Sequence, residues 1–541
     1  MPEIAETRRL AIASLVVAAI VLLFGLDGTL HWDEPGYLYA GIYQTLGEIL
    51  RAEVQPSGLP DFTTGKLLHV LFIHLVFGLT DSPPATFFIV AGSYVLLLGL
   101  GLWLAYRITA RLLPEAPTAA YAGMLAVALV PTVAYLAFKT LSDIPALFLS
   151  TLATFAILRA ATTERSGVVW LGLGIVALAM AVLAKAQAIV LPAAFVLAAL
   201  LLPPAGLERR RVLVNGAVVG LAAGLLTVVV LFALSIGIGR FVGSSDLLVK
   251  PSPLVAKLMH IAITGGIVWI VLPLSLLTTH WRALGFFWAW FLLATVPFLV
   301  LFEHVEPRYL AGSLVPLVGI AALALEGVWR WLGPVFHGRR RAATVAAGVL
   351  AILLLGSNVL ALRVMPHEVA LFELRATLAR LDARYGEPQP NLLTAWRFTD
   401  FHILRVLWPD RPVWSVDSTP LLVEPRSAQA AEELATAFLD GRQLSTPAEF
   451  ADLEGPLLLI GFEETFAPVN LARIADVLRP GIGRELLDSL NLIDHLETSW
   501  VWHADDLTLE PVSSTAHYRV FEVHGAAATD AAPAADSDAG D

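Results

Sequence analysis

Two adjacent carboxylates, Asp33 and Glu34, stand in the stretch His31-Trp32-Asp33-Glu34-Pro35-Gly36-Tyr37, directly after the first apolar run of the chain. Trp32, Tyr37 and Tyr39 flank them, residue types that favour the boundary between water and lipid. A carboxylate at that boundary is placed to take a proton from an acceptor on a lipid-linked substrate. Read without context, the same pair is equally two solvated charges capping a helix in a loop.

Further charges interrupt otherwise apolar sequence. Lys139 and Asp143 lie in one turn, Lys185 sits in Leu183-Ala184-Lys185-Ala186-Gln187, and Glu303, His304, Glu306 and Arg308 fill Glu303-His304-Val305-Glu306-Pro307-Arg308-Tyr309. A charge at the centre of a bilayer costs about 3 kcal/mol even on permissive scales, so each needs a reason. Ordinary reasons exist: Ser142-Asp143 before Pro145 makes a capped helix start, Lys185 can snorkel from a turn, and Arg308 can pair locally with Glu306. Taken together, an acid in the first loop and cations at several other turns are what a reaction at a lipid-linked phosphate requires. The carboxylate removes a proton from the acceptor, and Lys or Arg neutralises charge on the departing phosphate. His69 and His74 are five positions apart, about 140° round a helix, which argues against a shared metal ion.

The composition says what must position these groups. Of 541 residues 57% are apolar and 15% charged, a balance that implies a polytopic α-helical membrane protein. A net charge of −11 argues against a nucleic-acid partner, which would need a basic face. The absence of cysteine excludes disulfides, thiolate nucleophiles and Cys-ligated metals. Arg8 and Arg9 precede the apolar run 10–26, which reads as a permanent first span with a cytoplasmic N-terminus. Further spans are expected at 85–106, 118–138, 144–161, 167–184, 186–202, 212–239, 258–278, 283–302, 309–329 and 343–362, about eleven in all. The run 67–79 is too short and too polar to span and is expected to lie along the interface or re-enter.

Charge sets the sides. With 67–79 not spanning, Arg107, Arg111, Arg159, Arg165, the triplet 209–211, Arg282 and the triplet 339–341 all fall in cytoplasmic loops. The loop 27–66, the turns carrying Lys139, Asp143, Lys185 and Arg308, and everything after residue 363 are then expected on the outer face. From residue 367 an amphipathic helix stopped by Gly386 is followed by strand candidates at 391–395, 413–416, 457–461, 500–503 and 518–523, with helical patterns at 428–439 and 471–478. That alternation predicts a C-terminal α/β domain on the outer face. The expected organisation is a transmembrane domain over 1–363, with interfacial helices in an outer loop at 27–80, an extracytoplasmic domain over 364–524, and a disordered acidic tail over 525–541.

This layout resembles the GT-C glycosyltransferase superfamily, in its protein O-mannosyltransferase and aminoarabinose-transferase-like branch. The features that match are Asp33-Glu34 with Tyr37 just outside the first span, the long first outer loop ending in an interfacial segment after Lys66, Leu141-Ser142-Asp143-Ile144-Pro145, and Glu303-His304-Val305-Glu306-Pro307-Arg308-Tyr309-Leu310 with Pro316 beyond. They cover roughly residues 8–363, and the C-terminal domain matches in position and α/β character. Where the aminoarabinose transferases open the interfacial segment with Lys-Pro-Pro, this chain has Thr64-Gly65-Lys66-Leu67. It also lacks the extra domain that eukaryotic protein mannosyltransferases carry between late spans, so protein is not the expected acceptor.

The resemblance implies transfer of a sugar from a polyprenyl-phosphate donor to an acceptor hydroxyl, lipid or glycan, on the outer face of the plasma membrane, with inversion. It assigns Asp33 as the general base. Neighbouring helical positions point about 100° apart, so Glu34 orients the loop or the acceptor instead. Lys66, Lys185 and Arg308 become donor-phosphate ligands, with Tyr37, Lys139, Asp143, His304, Glu306 and Tyr309 as further candidates. No cofactor is implied with certainty, and a divalent metal ion stays open. The rival readings are a transporter or lipid flippase, against which the charges cluster at outer ends and no repeated half is visible, and a non-catalytic scaffold for envelope assembly.

Overall fold

Prolines and charges cut the apolar runs into helices. The structure, a computed structural model, describes residues 33–51, 64–163, 167–237, 272–301, 307–336, 369–394, 411–416, 443–444, 455–462, 507–514 and 518–525, with a few isolated positions besides. The chain divides into two compact units, one formed by 1–53, 60–367 and 466–493, the other by 54–59, 368–465 and 494–541.

In the first unit the helices are α1 (Asp33–Tyr43), α2 (Leu46–Arg51), α3 (Leu67–Thr80), α4 (Pro83–Leu112), α5 (Pro117–Ala128), α6 (Pro131–Leu136), α7 (Asp143–Thr162), α8 (Gly167–Ala184), α9 (Val190–Leu201), α10 (Arg209–Ala233), α11 (Trp281–Leu301) and α12 (Leu314–Phe336). Among the described residues six helices are long and apolar enough to cross a membrane, namely α4, α7, α8, α10, α11 and the segment Arg308–Trp331. The chain is a multi-pass membrane protein. The expected spans at 10–26, 258–278 and 343–362 lie largely or wholly outside the described residues.

One expected span has a different form. The run 118–138 is split into α5 and α6 because Pro131 has no N–H to continue a helix and pushes Val130 into extended backbone, φ −77° and ψ 152°. The run 67–79 forms the 14-residue helix α3, shorter than a span requires.

Small residues let these helices approach closely. A Cβ added at Gly123 of α5 would lie 2.5 Å from the carbonyl oxygen of Val318 in α12. At Gly41 of α1 it would lie 2.5 Å from Ile73 Cγ2 of α3, and there the Gly41 carbonyl accepts a hydrogen bond from His74 Nδ1 at 3.0 Å. Between α9 and α11 the seam is aromatic: Phe195 meets Phe286 and Trp290 edge-on. The buried Trp290 indole donates to the Leu191 carbonyl at 3.2 Å.

The second unit is an α/β assembly. Helix α13 (Leu371–Tyr385) ends at Gly386, whose φ of +71° suits a residue without a Cβ. Strands β1 (Asn391–Thr394), β2 (Val413–Val416), β3 (Gln443–Leu444), β4 (Leu457–Phe462), β5 (Leu507–Ser514) and β6 (Tyr518–Gly525) form one sheet in the order β3-β2-β1-β4-β6-β5. The first four pair in parallel and the last two add antiparallel, with Leu458 opposite Glu522 and Leu392 opposite both Val413 and Leu458. Strand candidate 500–503 and the helical patterns at 428–439 and 471–478 fall outside the described residues, as does the tail beyond Gly525.

Candidate active site

Three chain breaks in the first unit converge. Helix α8 stops at Ala184 because Lys185 turns to extended backbone, φ −164° and ψ 119°, before the short 3-10 turn Ala186–Ile189 leads into α9. From that break Lys185 reaches the first residue of α7, and its Nζ donates to Asp143 Oδ1 at 2.5 Å. A second 3-10 turn, Pro307–Ser313, precedes α12 and brings in Arg308 and Tyr309. Lys185 Nζ lies 4.6 Å from the centre of the Tyr309 ring and the Arg308 guanidinium 5.1 Å from the same ring. Arg308 also donates to the Tyr309 hydroxyl at 3.4 Å.

These groups face an open cleft, lined on its polar side by Asp143, Ser150, Lys185, Gln187, Arg308 and Tyr309, and on its apolar side by Leu191, Ala294 and Phe298 among others. Lys185, Asp143 and Arg308 are 7%, 5% and 3% exposed, so the charges are buried while the cleft they line is open. Burial pushes the Lys185 ammonium down from the usual lysine range; Asp143 holds it up, and Arg308 and Lys66 lower it further. Lys66 is therefore within electrostatic reach of Lys185. Asp143 Oδ2 is buried and has no hydrogen-bond partner among the described residues.

Lys66 closes the 3-10 turn before α3, with its Nζ 5.3 Å from the centre of the Tyr37 ring. Tyr37 is fully buried and meets the His69 imidazole edge-on at 4.8 Å. His69 Nδ1 in turn shares a 2.5 Å hydrogen bond with the Tyr94 hydroxyl of α4. Helix α1 is fixed by Glu34, also fully buried, whose Oε1 accepts from the Thr140 amide and, at 2.9 Å, from the Thr140 hydroxyl. Asp33 is the residue that opens α1, one position before Glu34. Lys139 is buried beside Tyr135, with Nζ 5.9 Å from the ring centre.

The structure thus brings Asp143, Lys185, Arg308 and Tyr309 to one cleft, with Lys66 in electrostatic range, and ties Glu34 to the turn before α7. His304 and Glu306 lie outside the described residues, so the local Glu306–Arg308 pair expected from sequence does too. The capped helix start is corrected: Ser142 makes no capping bond, its hydroxyl is buried without a partner among the described residues, and Asp143 turns to Lys185 instead. His69 and His74 bond different partners, Tyr94 and the Gly41 carbonyl. Among the described residues no three His, Asp or Glu side chains gather as metal ligands, and Asp143 is committed to Lys185. Sequence reasoning missed Thr140, Gln187 and Tyr94. Thr140 and Tyr94 carry no charge to single them out, whereas Gln187, a polar residue two positions after Lys185 in an apolar run, was a readable signal.

Residues 67–234 match the family described as dolichyl-phosphate-mannose-protein mannosyltransferase. Two crystal structures of ArnT from Cupriavidus metallidurans superpose over nearly the whole chain. The apo state has a TM-score of 0.53 at 15% identity, covering 96% of this chain and 98% of that one. The state bound to undecaprenyl phosphate has a TM-score of 0.55 at 14% identity, covering 95% and 98%. The chain has the GT-C fold. No curated protein matches the chain. The GT-C resemblance drawn from Asp33-Glu34, Leu141 to Pro145 and Glu303 to Leu310 therefore stands, as does the expectation of a polytopic helical protein with a small C-terminal sheet.

Proposed function

We propose that the chain is a glycosyltransferase that moves a sugar from a polyprenyl-phosphate-linked donor to an acceptor hydroxyl, lipid or glycan, on the outer face of the plasma membrane, with inversion at the anomeric carbon. The observation that supports this most is the gathering of Lys185 and Arg308, with Lys66 in range, around one open cleft at the helix ends. Buried cations there meet the charge that grows on a departing phosphate, and in a water-poor site such interactions count for far more than in water. ArnT, which shares the fold, is known bound to undecaprenyl phosphate.

In this reading the acceptor oxygen bonds to the anomeric carbon as its proton passes to the Asp33 carboxylate. The bond from that carbon to the phosphate oxygen breaks, and polyprenyl phosphate leaves with the electron pair. Lys185, Arg308 and Lys66 receive its charge; Asp143 keeps Lys185 charged and aimed; Glu34, held by Thr140, fixes α1 and so the position of Asp33. The polyprenyl tail lies between the spans, the N-terminus is cytoplasmic and the second unit extracytoplasmic. The transporter or flippase alternative is not favoured, because the charges lie at helix ends and the sequence shows no repeated half. The test is Asp33→Asn: transfer should fall by about 10²- to 10⁴-fold with the protein still folded in the membrane, and full activity would remove Asp33 from the role.

A further inference from the structure

Helices α4, α7 and α8 carry a second charged feature away from the cleft, about 25 Å along α7 from Asp143 by helix rise. Arg107 and Arg111 occupy the last turns of α4, Arg159 the last turn of α7, and Trp170 the first turn of α8. Arg111 Nε donates to the Thr162 hydroxyl at 2.9 Å, joining α4 to α7. Arg159 lies 5.1 Å from the Trp170 ring centre, joining α7 to α8, and Arg107 lies 5.0 Å from that of Trp103. Arg111 is in electrostatic reach of both other arginines.

The Lys/Arg excess of cytoplasmic loops and the pull of helix C-termini account for arginines on this side, but neither requires three mutually repelling guanidinium groups to gather in one cluster. Among the described residues no carboxylate pairs with any of them, and the buried Nε of Arg159 has no acceptor. A planar guanidinium is built for a phosphate oxygen pair. On α4 the same face continues as an exposed apolar strip: Leu96, Leu100 and Trp103, at 69%, 47% and 44% exposure, run up to Arg107 at helical spacing.

We propose that this cluster is a binding site for an anionic phospholipid, its headgroup phosphate held by Arg107, Arg111 and Arg159 and its acyl chain lying along Leu96, Leu100 and Trp103. The strip distinguishes a lipid from free phosphate, since an inorganic anion has no use for it. The site is separate from the sugar-transfer cleft, and its test does not depend on activity.

The full chain, delipidated in neutral detergent, is titrated with phosphatidylglycerol or phosphatidylcholine and the bound lipid counted by native mass spectrometry. Phosphatidylglycerol should bind at least about tenfold more tightly, and Arg111→Ala/Arg159→Ala should abolish that preference. Arg209→Ala/Arg210→Ala, which removes the same charge from the exposed start of α10, should retain it. Arg111→Lys/Arg159→Lys keeps the charge and guards against misfolding; it should bind more weakly than wild type. Equal binding of both lipids, equal loss in the α10 control, or displacement of phosphatidylglycerol by millimolar inorganic phosphate would each overturn the assignment.

Discussion

The two ends of the α7–α8 pair treat charge in opposite ways. At one end Asp143 and Lys185 are buried, bonded at 2.5 Å and backed by Arg308. At the other, Arg159 lies only partly buried against Trp170, with the exposed Arg107 and Arg111 nearby and no acid among the described residues. Burial makes the difference. A charge withdrawn from water must have a bonded partner in fixed geometry, so the first end is rigid enough to orient a reacting phosphate. Half-exposed guanidinium groups keep their water and can only recognise what the surroundings bring to them.

If sugar transfer runs as proposed, the largest effect belongs to Asp33, with Asp33→Asn costing the orders of magnitude given above while Arg209→Ala/Arg210→Ala leaves the rate unchanged in the same assay. Next comes stability. Asp143→Ala strands the buried Lys185 ammonium and should cost about 3–5 kcal/mol in reversible unfolding, most of it restored by the double variant Asp143→Ala/Lys185→Met. If the double variant is as unstable as the single one, the pair is not the matched unit described here. Arg308→Ala should raise the donor KM about tenfold, the worth of one charge-assisted contact; an unchanged KM would take Arg308 off the phosphate. The smallest effect is in the pH profile. Burial lowers the Lys185 pKa, so its ammonium loses the proton at a lower pH than an ordinary lysine, and donor KM should begin to rise on the alkaline side. Lys185→Arg, which stays protonated, should flatten that rise.

Charge among apolar residues is what made the cleft legible. Asp143, Lys185 and Arg308 stand out because a span cannot carry them without cause, and the structure places all three on one cleft. Their partners were harder to see. Nothing in Thr140 announces that it will receive Glu34 from more than a hundred positions away, and Tyr94 is one aromatic residue among many until His69 is found bonded to it. Ser142 misled because a capping residue type was present while burial had turned Asp143 elsewhere. In the second unit β1, β2, β4 and β6 follow from short apolar runs, but β5 does not: Glu510 and Pro511 interrupt its alternation and a register shift follows Pro511. Proline is tolerated there because β5 is the edge strand.

The most direct measurement is made on the purified chain in detergent, where vectorial transport has no meaning but bond cleavage does. Incubated with a polyprenyl-phosphate sugar and a hydroxyl acceptor, the wild type should release polyprenyl phosphate in step with glycosylated acceptor, and Asp33→Asn should release almost none. Release of no polyprenyl phosphate by the wild type across the available donors, alongside movement of the same lipids across sealed vesicles, would contradict the enzyme and restore the transporter.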